Sequence, residues 1–385
     1  MSVKQAVKEI NDFLHPKSYG NTKLGRMLNK AHQNNIVYTL YKQEDEELKS
    51  TLSLTKYEAE LNKLKQKLLK KGESCTIDDY KEFKSNLIDL PIERYDIFAD
   101  LSGITLSHKN SITLGDFTLY NLTRCYNELI KKYPNKLSSY LRNVDATLIE
   151  TKVSARDPRK AYELARGYFT KFENVLRYYI TIPSEPNTKV GIFSQSPIRH
   201  VNVICVSCTD VELFEWSTGL TKAYPFDKYP DFVNPKYGHK LWELITKKEP
   251  NEIESRISNA VYWYGLAMNE IDIKKGLILY CMSIEALVSN KGHSVKHQFE
   301  EFPAFINGNH RIERLKISNE LSEVYDIRSN IVHGKSGKKE ANMLHLIHIR
   351  TQAYELIKNF CDKEPVKSFT KYTELMDWIK EKRYS

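Results

Sequence analysis

The feature that most constrains the fold of this chain is a change of pattern around Ala223–His239. This stretch is rich in Tyr, Pro and Asp and holds Pro225, Pro230 and Pro235. Proline fixes φ and lacks an amide N–H, so a run of this kind interrupts regular structure. On its C-terminal side the apolar residues recur every three or four positions and no segment alternates. Helices are therefore predicted at about 251–269, 272–290, 294–303, 308–330, 338–362 and 367–382. On its N-terminal side helical and alternating segments are mixed. The expected architecture is α+β: a mixed α/β domain over 1–235 with a leading helical segment, then an all-α domain over 240–385. A chain of 385 residues suits two domains of ordinary size.

Within the N-terminal part, residues 1–14 read as a short helix and 24–69 as helical. Leu54, Tyr57, Leu61, Leu64 and Leu68 alternate spacings of three and four. A seam this short packs a helical hairpin onto its own domain, and Gly72 closes it. Strand-like runs follow at 97–99, 103–106 and 112–120, then a helix at 122–133 and a strand at 146–153. Asp157 as N-cap and Pro158 at the first helical position open the next helix. Its inner stripe is Ala161, Leu164, Ala165, Tyr168, Phe172, Val175, Leu176 and Tyr179. Residues 189–194 and 199–208 read as strands.

Several function classes are set aside. The apolar run Leu277–Val288 is broken by Ser283 and Glu285 and falls short of the ~20 residues of a membrane span. The first residues lack the apolar core of a signal peptide. Six scattered cysteines (75, 125, 205, 208, 281 and 361) read as reduced thiols, so a cytoplasmic chain is expected. Cys205 and Cys208 have zinc-knuckle spacing without a second pair, and His293 and His297 with Glu300 and Glu301 complete no motif. No metal or cofactor is expected. Lys plus Arg exceed Asp plus Glu by 58 to 49, a net +9 that tolerates a polyanionic partner without demanding one.

The chemistry is concentrated in Tyr325-Asp326-Ile327-Arg328-Ser329-Asn330-Ile331-Val332-His333-Gly334-Lys335. The preceding residues read as a helix, with Ile312, Leu315, Leu321, Val324 and Tyr325 roughly on one face; Gly334 with Gly337 is its stop signal. Arginine offers a permanently charged fork matched to phosphate, and histidine moves protons near neutral pH. The plain alternative is a pair of cations placed to suit the helix dipole. In an uninterrupted helix five residues turn the chain so that Arg328 and His333 stand ~140° apart. Bringing them together requires helix termination at Asn330–Gly334 or a second copy of the motif.

The helix Ile273–Leu287, ending Ser283-Ile284-Glu285-Ala286-Leu287, followed by Arg328-x4-His333-Gly334, resembles the HEPN domain, and within it the Apea-like branch. The resemblance covers roughly 250–362. It implies a metal-independent endoribonuclease acting on RNA, with a site shared between two protomers of a homodimer. His333 is then the general acid/base, Arg328 the phosphate holder, and Asn330 or Ser329 the adjacent polar contact, with Glu285 supporting. Lys335, Lys338 and Lys339 form a basic run suited to RNA phosphates. A toxin subgroup of the family carries a modifiable tyrosine where this chain has Lys335, so that mode of neutralisation is not expected. The implied setting is a prokaryotic anti-phage or toxin system, with the N-terminal domain sensing a trigger, binding a regulatory protein or choosing the substrate. The other reading is a non-catalytic HEPN module that binds RNA, a nucleotide or a partner protein.

Overall fold

The computed structural model describes residues 2–15, 19, 22–133, 141, 147–180, 190–192, 200–206, 211–217, 224–228, 235–270, 272–290, 294–334 and 340–384. Its elements start largely where side chains cap them. Ser2, Thr22, Ser53 and Thr76 accept hydrogen bonds from the amides of Gln5, Gly25, Lys56 and Asp79. They open α1 (Val3–Leu14), α2 (Lys23–Lys42), α4 (Leu54–Lys71) and α5 (Ile77–Ile88), with the short α3 (Glu46–Thr51) between α2 and α4. The helical region expected over 24–69 is thus three helices. Helix α5 lay outside the sequence expectation, although Thr76 and Asp79 form a reciprocal capping box that marks it.

The next elements are β1 (Glu93–Asp100), β2 (Ile104–Thr105), β3 (Ser111–Leu114), β4 (Phe117–Asn121), α6 (Leu122–Lys132), β5 (Thr147–Ala155) and α7 (Pro158–Ile180). After them come β6 (His200–Val206), β7 (Val211–Ser217), β8 (Tyr224–Pro225) and α8 (Pro235–Thr246). One sheet has the order β3-β4-β5-β1-β6-β7, and β2 pairs in parallel with β8. Strands β3 and β4 form an antiparallel hairpin whose Gly115 is left-handed (φ 56°). In the described part of the stretch 223–239, Pro225 ends β8 and α8 begins on Pro235, where the missing amide is not needed, while Pro230 lies outside the described residues.

Beyond this point the elements of the described residues are helices: α9 (Glu252–Asn269), α10 (Ile273–Val288), α11 (Val295–Asn307), α12 (Arg311–Val332), α13 (Met343–Asp362) and α14 (Tyr372–Tyr384). The fold class is α+β. Two compact units interleave along the sequence: residues 1–98, 151–166 and 203–213 form one, and residues 99–150, 167–202 and 214–385 the other. The linear boundary expected at 235–240 lies inside the second unit.

In the first unit, Tyr57, Leu61, Leu64 and Leu68 of α4 face a core built with Ile10 and Phe13 of α1, Val37 and Leu40 of α2, and Phe83 and Leu87 of α5. The short seam does close a helical assembly within its own unit. Asp157 is the expected cap, accepting from the Lys160 amide at 3.0 Å. The same buried carboxylate takes the Ser53 amide at 2.9 Å and the Ser53 hydroxyl at 2.7 Å, so one acid fixes the starts of two helices.

In the second unit, α7 is buried on every side from Phe172 to Ile180. This is more than one stripe, because α8 and α9 both cover it. Trp242 packs on Phe172 and Tyr179 with ring centroids 4.9 and 5.3 Å apart. Gly265 of α9 touches Asn174 so closely that a Cβ there would lie 2.6 Å from the Asn174 Cα. The Tyr178 hydroxyl donates to the Tyr354 carbonyl at 3.2 Å, tying α7 to α13. Helix α10 runs through the middle, packed by α9, α11, α12 and α13.

Candidate functional site

Helix α10 is buried along Leu277, Tyr280, Cys281, Ile284, Leu287 and Val288. Asp272 starts it by accepting from the Lys275 amide at 2.9 Å. Glu285 lies on the flank of this apolar surface, its side chain only 19% exposed. Burial pushes its carboxyl above the ordinary glutamate range, and Arg328 opposes that shift.

Arg328 comes from α12. The inner residues of that helix are Ile317, Leu321, Val324 and Ile327. Arg328 follows Leu321 and Val324 at +7 and +4 and so prolongs the inner stripe. This corrects the face read from the sequence: Ile312 and Leu315 are 77% and 54% exposed. The physical reason is angular: at 100° per residue Ile312 and Leu315 fall on the side of α12 away from Ile317, Leu321 and Val324, while Arg314 in the same turn packs on Phe305. The Arg328 Nη2 lies 3.3 and 3.4 Å from the two carboxylate oxygens of Glu285. Its guanidinium sits 5.6 Å over the Tyr325 ring, which packs at 5.2 Å on Phe299. Among the described residues the buried Nε has no hydrogen-bond partner. A planar cation is therefore held by one ion pair and one ring, with donor capacity left over.

The helix ends at Val332, within the Asn330–Gly334 stretch, but only after Ser329 and Asn330 have taken helical positions. His333 is the C-cap, its amide donating to the Ser329 carbonyl at 3.0 Å, and Gly334 donates to Ile331 at 3.3 Å in a left-handed conformation (φ 63°). The glycine is needed for that dihedral alone, since nothing lies within 4 Å of a Cβ there. The His333 side chain is exposed, while Ser329 and Asn330 are half-buried. At 100° per residue, Ser329 and Asn330 fall on the His333 side of the helix and Arg328 on the other. One chain thus brings Ser329, Asn330 and His333 together and sets Arg328 with Glu285 apart from them. Lys335, Lys338 and Lys339 lie outside the described residues, as do Gly337, His293 and Cys208.

The surroundings add ion pairs that join these residues across helices, which sequence reasoning did not show. Asp326 pairs with Lys296 of α11 at 2.6 Å. His345, at the start of α13, receives the Asn342 amide on Nδ1 at 3.3 Å and places Nε2 3.3 Å from Glu323. The only sequence signal for that contact was the Asn342-x-x-His345 capping spacing. His297 pairs with Glu301 at 3.3 Å, and Arg383 also binds that carboxylate. Among the described residues no cluster of three or more His, Cys, Asp or Glu side chains is arranged to hold a metal ion. Cys205 is buried, and burial pushes its thiol up to about 12. Among the described residues no helix is long and apolar enough to cross a membrane. Comparison of the chain with protein-family models, with curated proteins and with solved structures gives no match.

Proposed function

We propose that the helical region from α9 to α13 is a HEPN-type endoribonuclease that cuts RNA without a metal, with a site completed by a second copy of the chain. The observation that supports this most is the placement of a restrained Arg328 and an exposed His333 within the last two turns of α12. The two side chains lie on different sides of one helix, so a single copy presents the acid/base without the phosphate fork. A second α12 facing the first supplies the missing member to each. Val332, Met343, Leu344 and Ile347 are exposed apolar residues flanking the motif, and covering them would favour such pairing.

In this scheme the His333 imidazole removes the proton of a ribose 2′-hydroxyl. The oxygen attacks the adjacent phosphorus, the bond to the 5′-oxygen breaks, and that oxygen is protonated by the second imidazole. Arg328 holds the non-bridging oxygens as charge builds on them, and Glu285 keeps its guanidinium in place. Asn330 and Ser329 contact the ribose or phosphate, and Lys335, Lys338 and Lys339 bind backbone phosphates along the strand. A cytoplasmic role in prokaryotic anti-phage defence or growth arrest, gated by a regulatory protein or phage trigger, rests on the family resemblance.

One observation favours the quieter reading. Arg328 is already engaged by Glu285, as a purely structural arginine would be, and a module that only binds RNA or a partner needs no more. The experiment that separates the two incubates purified chain with total RNA in EDTA, beside Arg328→Ala and His333→Ala. Cleavage by the wild type alone is the expected result. Cleavage surviving both substitutions would overturn the site, EDTA-sensitive cleavage the mechanism, and salt-dependent binding without cleavage would leave the binding module.

A further inference from the structure

Helix α2 presents its apolar residues to solvent. The residues it buries are Gly25, Ile36, Val37 and Leu40, which pack toward α1 and α4. On the opposite side stand Leu24 (65% exposed), Met27 (62%), Leu28 (45%) and Tyr38 (51%), with Ala31 and Asn35 also exposed between them. At 100° per residue, Leu24, Leu28, Ala31, Asn35 and Tyr38 follow one line about 150° from the buried face. Their separations are four, three, four and three, the spacing of a seam that receives another helix. From Leu24 to Tyr38 the stripe is about 21 Å long. Asn35 sits within it as the single polar member, the device by which helical pairs fix register.

Charge indicates what kind of helix would fit. Lys23 and Lys30 lie together on one side of the stripe, about 100–120° from its line, the Lys42 Nζ sits 6.0 Å over the Tyr38 ring at its far end, and α2 contains no Asp or Glu from Lys23 to Lys42. Lys23, in the first turn, opposes the helix dipole and so does not serve the stability of α2 itself. A second copy of α2 would set like charges together, whereas an acidic surface would relieve them. We infer that the outward stripe of α2 is a docking surface for an amphipathic helix of a partner protein. That helix carries an apolar seam bordered by Asp or Glu.

The test uses the full-length chain and two synthetic helical peptides sharing one leucine seam, one bordered by glutamates and the other by lysines. Fluorescence anisotropy should show the acidic peptide binding at least about tenfold tighter than the basic one. Leu28→Glu should abolish that binding, and added salt should narrow the preference. Exchanging Lys23, Lys30 and Lys42 for glutamate should reverse the preference, a result that unfolding could not produce. Equal binding of both peptides, or of neither, would overturn the proposal. Self-association lost in Leu28→Glu would assign the stripe to a second copy instead. Co-sedimentation with phosphatidylcholine–phosphatidylserine vesicles but no peptide binding would assign it to a lipid surface. Each readout is independent of RNA cleavage.

Discussion

Helices α4 and α12 carry apolar residues at the same spacing of three and four and use them differently. In α4, Tyr57, Leu61, Leu64 and Leu68 are all turned inward, none more than 9% exposed. In α12 only the middle is buried, from Ile317 to Ile327, while Ile312 and Leu315 stand in solvent. The final turn holds exposed or half-buried polar residues. A helix buried along its whole seam supports the fold. One that is anchored by its middle and by an ion pair at Arg328 leaves its ends available for other molecules. The same contrast separates α4 from α2, whose outward stripe has an equal periodicity and no cover among the described residues.

The largest effect that would sharpen this contrast is on chemistry. His333→Ala is expected to lower RNA cleavage by about 10²–10⁴-fold while changing urea stability by less than about 0.5 kcal/mol, because the side chain is exposed. A drop in cleavage accompanied by an equal loss of folding would make the residue structural and break the comparison.

Next in size is packing. Leu61→Ala in α4 is expected to cost about 2–5 kcal/mol, and Leu315→Ala in α12 less than about 0.5 kcal/mol, measured by urea unfolding followed by circular dichroism. Similar losses for the two would mean that Leu315 is covered in solution.

Smaller again is the ion pair. Glu285→Ala removes the partner of a half-buried guanidinium and should cost about 1–3 kcal/mol. The pH dependence has a definite sign. Burial raises the Glu285 carboxyl, so the native state keeps this proton to higher pH than the unfolded chain does. Stability contributed here is present below the ordinary glutamate range and is lost as pH rises through the raised value. Unfolding curves of Glu285→Gln across that window should therefore decline less steeply with pH than those of wild type; an unchanged slope would refute the assignment.

The smallest effect is at the cap. Gly334→Ala forces a left-handed residue to carry a Cβ and is expected to cost about 1–2 kcal/mol. No steric contact adds to that cost, so a much larger loss of stability would point to packing that the helix end does not show.

Much of the fold was legible because it depends on local rules. All six C-terminal helices begin within about five residues of their expected starts, as caps and periodicity act over a turn or two. Asp157 was readable as a cap from its place before Pro158. That it also holds Ser53 was not, because that bond joins residues far apart in sequence. Helix α5 was readable from its capping box and was passed over. Strand β7 and helix α8 were missed because they lie beside turn-rich stretches, where Pro and Gly signals dominate a short window. The interleaving of the two units could not be read from any window. Alternating runs such as β1 and β5 say which residues pair in a sheet face, not which compact body each end of a strand joins.

For the candidate site, the sequence by itself determined that an arginine and a histidine stand five residues apart near a helix end closed by Gly334. It also placed a carboxylate, Glu285, on an apolar helix upstream. Tertiary structure decided the rest: that α12 turns Arg328 toward α10 and Glu285, and that Ile312 and Leu315 face water. It also decided that the stripe of α2 is left outside the core. The physical reason is one of range. Helix formation and capping are settled by neighbours along the chain, whereas burial depends on which surfaces are left to be covered once all the helices have packed.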